Sequence, residues 1–95
     1  MVASKFQDRR NDILRITAKH GASNVRVFGS VARGEAGAGS DLDLLVDMEP
    51  SRSLFDLSAM VSDLRELLAC DVDVVTESSL YWLLRRRILR EARPL

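Results

Sequence analysis

Two short apolar segments that carry aspartates constrain the fold more than any other feature of the sequence. Residues 41–46 and 71–76 both mix acids with branched apolar residues, as β-strands do. Side chains on a strand alternate between its faces, so Asp41 and Asp43 point the same way. Because an unpaired buried carboxylate is costly, acids on apolar strands indicate a function. If Asp73 joins them, three carboxylates aimed at one point would suit a hard divalent cation, with Mg²⁺ expected.

The segment between these strands predicts a helix. Ser53 is a suitable N-cap, and the apolar residues that follow it step by three and four, at Leu54, Leu57, Val61, Leu64 and Leu68. A helical crossover favours side-by-side strands. We therefore expect Asp73 to lie next to Asp41 and Asp43.

The remaining elements follow from periodicity and from residues that end helices and strands. We predict a helix over 4–20 with Gly21 as C-cap, a strand over 25–28 and a helical turn over 30–33. A glycine-rich loop at 34–39 and a last helix, capped by Ser78 or Ser79, reaching about 92 and closed by Pro94, complete the chain. The predicted fold class is α/β: a small mixed sheet of three or four strands, with helices mostly on one face, in a single domain over 1–95.

Composition narrows the possible functions. Fourteen basic and fourteen acidic residues give zero net charge, so no bulk charge favours nucleic acid. A single cysteine, Cys70, excludes an internal disulfide and is predicted to be a buried thiol. No apolar run approaches the roughly 20 residues of a membrane span, and the basic N-terminal residues precede no signal-like apolar stretch. We expect a cytoplasmic protein.

The spacing of the small and acidic residues resembles a known signature. Gly29-Ser30 is followed by ten residues and then by Asp41-Leu-Asp43, within GSVARGEAGAGSDLDLLV. This stretch resembles the GS-x10-DxD signature of the DNA polymerase beta-type nucleotidyltransferase superfamily. The small size and the later VDVVT resemble its smallest members, the minimal nucleotidyltransferases.

The resemblance implies a polymerase beta-like fold and a set of site residues. Asp41, Asp43 and Asp73 would bind two Mg²⁺ ions, and Asp73 would help deprotonate the attacking hydroxyl. Gly29 allows phosphate to approach the backbone, and Ser30 offers a hydroxyl and an amide to it. Arg33 either contacts the triphosphate or pairs with a nearby acid. The implied reaction moves AMP from ATP to an acceptor hydroxyl and releases pyrophosphate.

The resemblance also implies a partner. Minimal nucleotidyltransferases are commonly the antitoxins of HEPN-domain toxins and can add AMP to a toxin tyrosine. Two alternatives stay open: a non-catalytic module that neutralises its partner by contact, and transfer to a small molecule in a pocket completed by a partner or a second copy. Nucleic acid is not an expected partner, and a homo-oligomer is possible.

Several residues outside the signature have two interpretations. The arginines of the last helix form either a partner-binding surface or a solvated face. In a solvated face, Arg87 and Glu91 would form an ion pair one helical turn apart. At least one of Tyr81 and Trp82 is predicted to lie in the core. Asp71 is interpreted as a strand-entry residue, and His20 as a residue that complements a helix end rather than a catalytic group.

Overall fold

A computed structural model describes residues 4–34 and 41–95, and the predicted loop therefore lies, apart from Gly34, outside the described residues. Five α-helices, four strands and one short 3₁₀ helix follow one another within these ranges. Their order is α1 (Ser4–Gln7), α2 (Arg10–Lys19), β1 (Ala22–Phe28), α3 (Gly29–Ala32), β2 (Leu42–Met48), α4 (Leu54–Leu68), β3 (Val72–Thr76), the 3₁₀ helix (Glu77–Ser79), α5 (Trp82–Glu91) and β4 (Arg93–Pro94).

The strands form one mixed sheet in the order β3-β2-β1-β4. β2 and β3 are parallel, as the helical crossover between them predicts, and β1 is antiparallel to both β2 and β4. The register places Asp43 beside Asp73 on one side and beside Phe28 on the other. The predicted α/β class and mixed sheet are confirmed, with four strands.

One face of the sheet is packed by α2 and α4. Leu42, Leu44 and Val46 of β2 are fully buried in the same cluster as Ile13 and Met60. Ser53 is the N-cap of α4, as predicted: its hydroxyl accepts a hydrogen bond from the Phe55 N–H, while the Asp56 carboxylate accepts one from the Ser53 N–H. The predicted stripe is wrong at one end, because Leu54 is 79% exposed.

The predicted first helix is interrupted. α1 ends at Gln7 and α2 begins at Arg10, with a turn in which the Arg9 N–H donates to the Phe6 carbonyl at 3.1 Å. This break allows Phe6 to be buried. β1 begins at Ala22 rather than at 25, since residues 22 and 23 pair with the end of β2 before the register shifts.

The C-terminal segment departs furthest from prediction. The prediction that Ser78 or Ser79 caps the last helix is wrong. Ser79 ends the 3₁₀ helix, where its hydroxyl accepts from the N–H of the N-cap residue Thr76, and α5 begins three residues later. After α5, β4 pairs with β1, which a proline tolerates at a sheet edge. α5 therefore connects the two edge strands of the sheet, β3 and β4.

Two burial predictions need correction. Tyr81 and Trp82 are 59% and 73% exposed, so neither lies in the core. Tyr81 lies just before α5 and Trp82 is its first residue. Because no residue of α5 is fully buried, neither ring packs into the core. Cys70 is only partly buried. No helix among the described residues has the length and apolar character needed to cross a membrane.

Candidate active site

The two acid-bearing strands bring Asp43 and Asp73 together. Parallel pairing of β2 with β3 places them at the same register position, and strand alternation turns Asp43 away from the face on which Leu42 and Leu44 pack. Asp43 is half-buried, whereas Asp73 and Asp41, just before β2, are exposed. The structure thus gathers the predicted aspartates at one end of β2 and β3, open to solvent.

Gly29 makes room for the Asp43 carboxylate. Its φ of +75° lies in the left-handed region that side chains disfavour. A Cβ built there would overlap Asp43 Oδ2, so that any side chain at this position would displace the carboxylate. Ser30 follows in the short α3 and is half-buried. Glycine is therefore required here both by the backbone and by the acid beside it.

The charges around Asp43 oppose its ionisation. Burial raises the pKa of the Asp43 carboxyl, and the neighbouring Asp73 and Asp41 carboxylates raise this pKa further. The Arg33 guanidinium lowers the pKa of Asp43, while Glu91 raises it. A group of carboxylates that disfavour one another's charge is an environment in which a bound cation is stabilised.

Arg33 reaches from the end of α3 to the C-terminal helix. Its Nη1 lies 2.7 Å from Oε1 of Glu91, the last residue of α5, whose side chain is only 15% exposed. Of the two roles predicted for Arg33, the structure contains the pairing with an acid. The predicted Arg87–Glu91 pair is also present, at a longer 3.9 Å.

Sequence reasoning overlooked Glu91 as a neighbour of the site. A usable signal exists in hindsight, because Glu91 is the one acid of α5 among four arginines. The missing information is the path of α5, which depends on the β4 pairing at the far edge of the sheet.

Two further polar residues lie as predicted. Asp71 is exposed immediately before β3, and its carbonyl accepts from the Leu42 N–H, which makes it a strand-entry residue. His20 caps the end of α2, and its Nε2 lies 2.8 Å from Oδ2 of Asp63 on α4. This pair joins the two helices that pack on the other face of the sheet.

The described residues do not contain a ready-made metal centre. Within 4–34 and 41–95, no three acidic, histidine or cysteine side chains are gathered closely enough to hold an ion. The donor set still fits Mg²⁺, since Asp43 and Asp73 offer hard oxygen ligands from adjacent strands. The metal role of the three aspartates stays a prediction.

Comparison with known protein families identifies the class of protein. Residues 10–95 match the nucleotidyltransferase domain family, and the chain belongs to it. It is a minimal nucleotidyltransferase with a polymerase beta-like fold, homologous to the protein adenylyltransferases of the MntA type.

Its relatives include two archaeal proteins. One, a putative protein adenylyltransferase of Methanocaldococcus jannaschii, is 42% identical over 87% of this chain and 89% of its own length. The other, the protein adenylyltransferase MntA of Thermococcus cleftensis, is 41% identical over 77% of this chain and 74% of its own. Both cover most of the domain described above.

Solved structures share the fold. A putative minimal nucleotidyltransferase superposes with a TM-score of 0.86 at 49% identity, covering 100% of this chain and 97% of that one. A toxin–antitoxin crystal structure with AMP-PNP gives a TM-score of 0.75 at 21% identity, covering 88% of this chain and 69% of that one. At that lower identity the likeness establishes the fold alone.

Proposed function

We propose that this chain transfers AMP from ATP to a hydroxyl of a partner protein, with Mg²⁺ as the cofactor. The observation that carries the proposal is the register pairing of Asp43 with Asp73, with the Asp43 carboxylate against the Gly29 backbone. Family membership supplies the reaction class. Nucleotidyl transfer requires positioning and charge neutralisation rather than a covalent protein intermediate.

Each site residue has a defined task in this reaction. Asp41, Asp43 and Asp73 would hold Mg²⁺, which when bound neutralises the triphosphate. Asp73, exposed at the edge of the site, accepts the proton of the acceptor hydroxyl. That oxygen bonds to the α-phosphorus of ATP as the bond to the β-phosphate oxygen breaks and pyrophosphate departs. Gly29 and Ser30 present backbone and hydroxyl donors to the phosphates.

The proposed partner is a HEPN-domain toxin, which this chain neutralises in the cytoplasm by adding AMP to a tyrosine. Support comes from the MntA relative and from the fold shared with an antitoxin crystallised in a toxin–antitoxin complex. Four consecutive large apolar residues at the start of α5 and just before it, Tyr81 to Leu84, are 49–73% exposed. An exposed apolar run suits a protein surface better than water.

Incubation with labelled ATP tests this function. The full chain is mixed with Mg²⁺, ATP and the HEPN protein encoded beside it, and intact-mass and peptide spectra are recorded. We expect one AMP moiety on a tyrosine of the partner and loss of its ribonuclease activity. Neutralisation with no added mass would instead identify a contact-only antitoxin. Transfer to a small hydroxylated acceptor in place of the partner would also contradict the proposal.

A further inference from the structure

Glu91 occupies an unusual position for an acid. Its side chain is mostly buried, and its charge raises the pKa of Asp43, so by itself it opposes the ionised carboxylate site. An added negative charge also repels a triphosphate. Glu91 is therefore unfavourable for nucleotide binding unless its charge is used to hold a cation.

The cation that Glu91 holds is Arg33. The 2.7 Å contact joins the end of α5 to the first residue after α3, the element that begins with Gly29 and Ser30. Arg33 lowers the pKa of Asp43, so the guanidinium lies within electrostatic reach of the carboxylates. β4 pairing directly after α5 fixes the backbone from which Glu91 reaches.

We propose that Glu91 is a positioning residue that orients the Arg33 guanidinium beside the aspartates for contact with the nucleotide triphosphate. The inference rests on the proposed function, because it requires this site to bind a nucleotide. A guanidinium fixed before binding loses less side-chain entropy when phosphate arrives. Loss of the Glu91 carboxylate removes the 2.7 Å contact that directs the guanidinium, which shifts Arg33 toward the carboxylates of Asp43 and Asp73, where it competes with Mg²⁺ for their oxygens.

Binding of Mg–AMP-PNP to the full chain, measured by calorimetry, tests the inference without an acceptor. Glu91→Gln should weaken binding about fivefold, the loss expected when one positioned charge-assisted contact becomes mobile. Glu91→Asp keeps the charge with a shorter reach and should recover part of the affinity. The matched control is Arg87→Gln, which removes the more distant, exposed partner of Glu91 and should leave the affinity unchanged.

A double-mutant cycle separates positioning from a general effect of charge. If Glu91 acts through Arg33, Glu91→Gln has no further effect in an Arg33→Gln protein. Additive losses in the double variant, unchanged affinity in Glu91→Gln, or tighter binding in that variant would each overturn the inference. Melting curves accompany each variant, and if Glu91→Gln fails to fold, the same cycle is run with Glu91→Asp.

The outcome also separates this inference from the proposed function. Wild-type chain that binds Mg–AMP-PNP, with Glu91→Gln binding equally well, overturns the positioning role alone. Wild-type chain that does not bind the nucleotide overturns the proposed function, and the positioning role with it.

Discussion

The two faces of the sheet differ sharply although the same strands build them. On one face Leu44 is fully buried under α2 and α4. On the other, its neighbour Asp43 meets Asp73 and approaches Arg33 and Glu91. Strand alternation thus separates the apolar core from the acids of the proposed site by a single residue position.

The comparison shows where each kind of substitution should act. The packed face is apolar and covered, so changes there remove buried contacts. The face that carries Asp43 and Asp73, which we call the catalytic face after the role proposed for it, collects like charges that raise the pKa of Asp43, so changes there should alter binding and can even relieve repulsion. Variants of adjacent residues on β2 should therefore have opposite consequences.

The largest expected effect is on the catalytic face. Asp43→Asn should lower AMP transfer by about a hundredfold or more, because it removes a carboxylate worth several kcal/mol to the charged reaction centre. The measurement is the initial rate of AMP transfer at saturating ATP. Asp47→Asn is the matched control, since Asp47 is exposed on the same face and the same strand and pairs with Arg26. Equal turnover in wild type and Asp43→Asn would contradict the assignment.

The next residue along β2 should show the reverse. Leu44→Ala creates a cavity beneath α2 and α4 and should lower the free energy of unfolding by about 2–5 kcal/mol. Denaturant unfolding measures the loss, and Mg–AMP-PNP affinity, measured well below the melting temperature, should stay close to that of wild type. A Leu44→Ala protein as stable as wild type would remove the distinction between the faces.

The catalytic face was only partly predictable from sequence. The parallel pairing that places Asp73 beside Asp43 follows from the helical crossover. The position of Gly29 follows from the predicted end of the first strand. Glu91 was missed because its approach to Arg33 depends on a two-residue strand, Arg93–Pro94, which is too short for any periodic signal. The contact is set by long-range pairing rather than by local sequence.

The packed face was easier to predict because α4 follows regular apolar spacing. The wrong burial predictions concern apolar residues that have no other part of the described fold to pack against. Leu54 continues the apolar spacing, but as the first residue of α4 it is exposed to solvent. Trp82 has a large apolar side chain of the kind found in cores, yet it is the first residue of a helix with no fully buried residue. Hydrophobicity indicates which residues can be buried, and topology decides which are.

A smaller effect is expected on the rate at which a partner protein associates with the surface of α5. Arg86 and Arg90 on α5 are exposed, and neither side chain forms an ion pair within residues 4–34 and 41–95. Reversing both to Glu should slow association with the proposed HEPN partner about tenfold at low salt and weaken the salt dependence of that rate. Stopped-flow association rates measure this.

The matched control reverses two positive charges on α2 and α4, the helices that cover the apolar face of the sheet. Lys19 and Arg65 lie exposed on α2 and α4, and their reversal to Glu changes net charge equally. We expect a much smaller change in the association rate for that protein. Equal slowing in both double variants would mean that net charge alone, rather than the α5 surface, steers the partner.

The smallest expected effect is on the free energy of unfolding of the metal-free protein, which the like charges of the catalytic face lower. The folded protein has a raised pKa at Asp43, so it binds this proton more tightly than the unfolded chain does. The resulting stability is present below the unfolded pKa and is lost as pH rises through the folded pKa. At neutral pH the ionised Asp43 therefore destabilises the metal-free fold relative to a neutral side chain.

Asp43→Asn should consequently melt higher than wild type in chelator at pH 7.5. The group is half-exposed and screened, so the gain should be about 0.5 kcal/mol, or roughly 2–4 °C for a domain of this size. The gain should shrink as the pH falls through the raised pKa of folded Asp43 and should vanish below the unfolded value of about 3.9. Asp73→Asn should give a smaller gain, since it removes one of the charges acting on Asp43. Thermal scans across pH decide the point: an Asp43→Asn protein that melts lower at pH 7.5, or whose gain is independent of pH, would show that the acids do not strain the empty site.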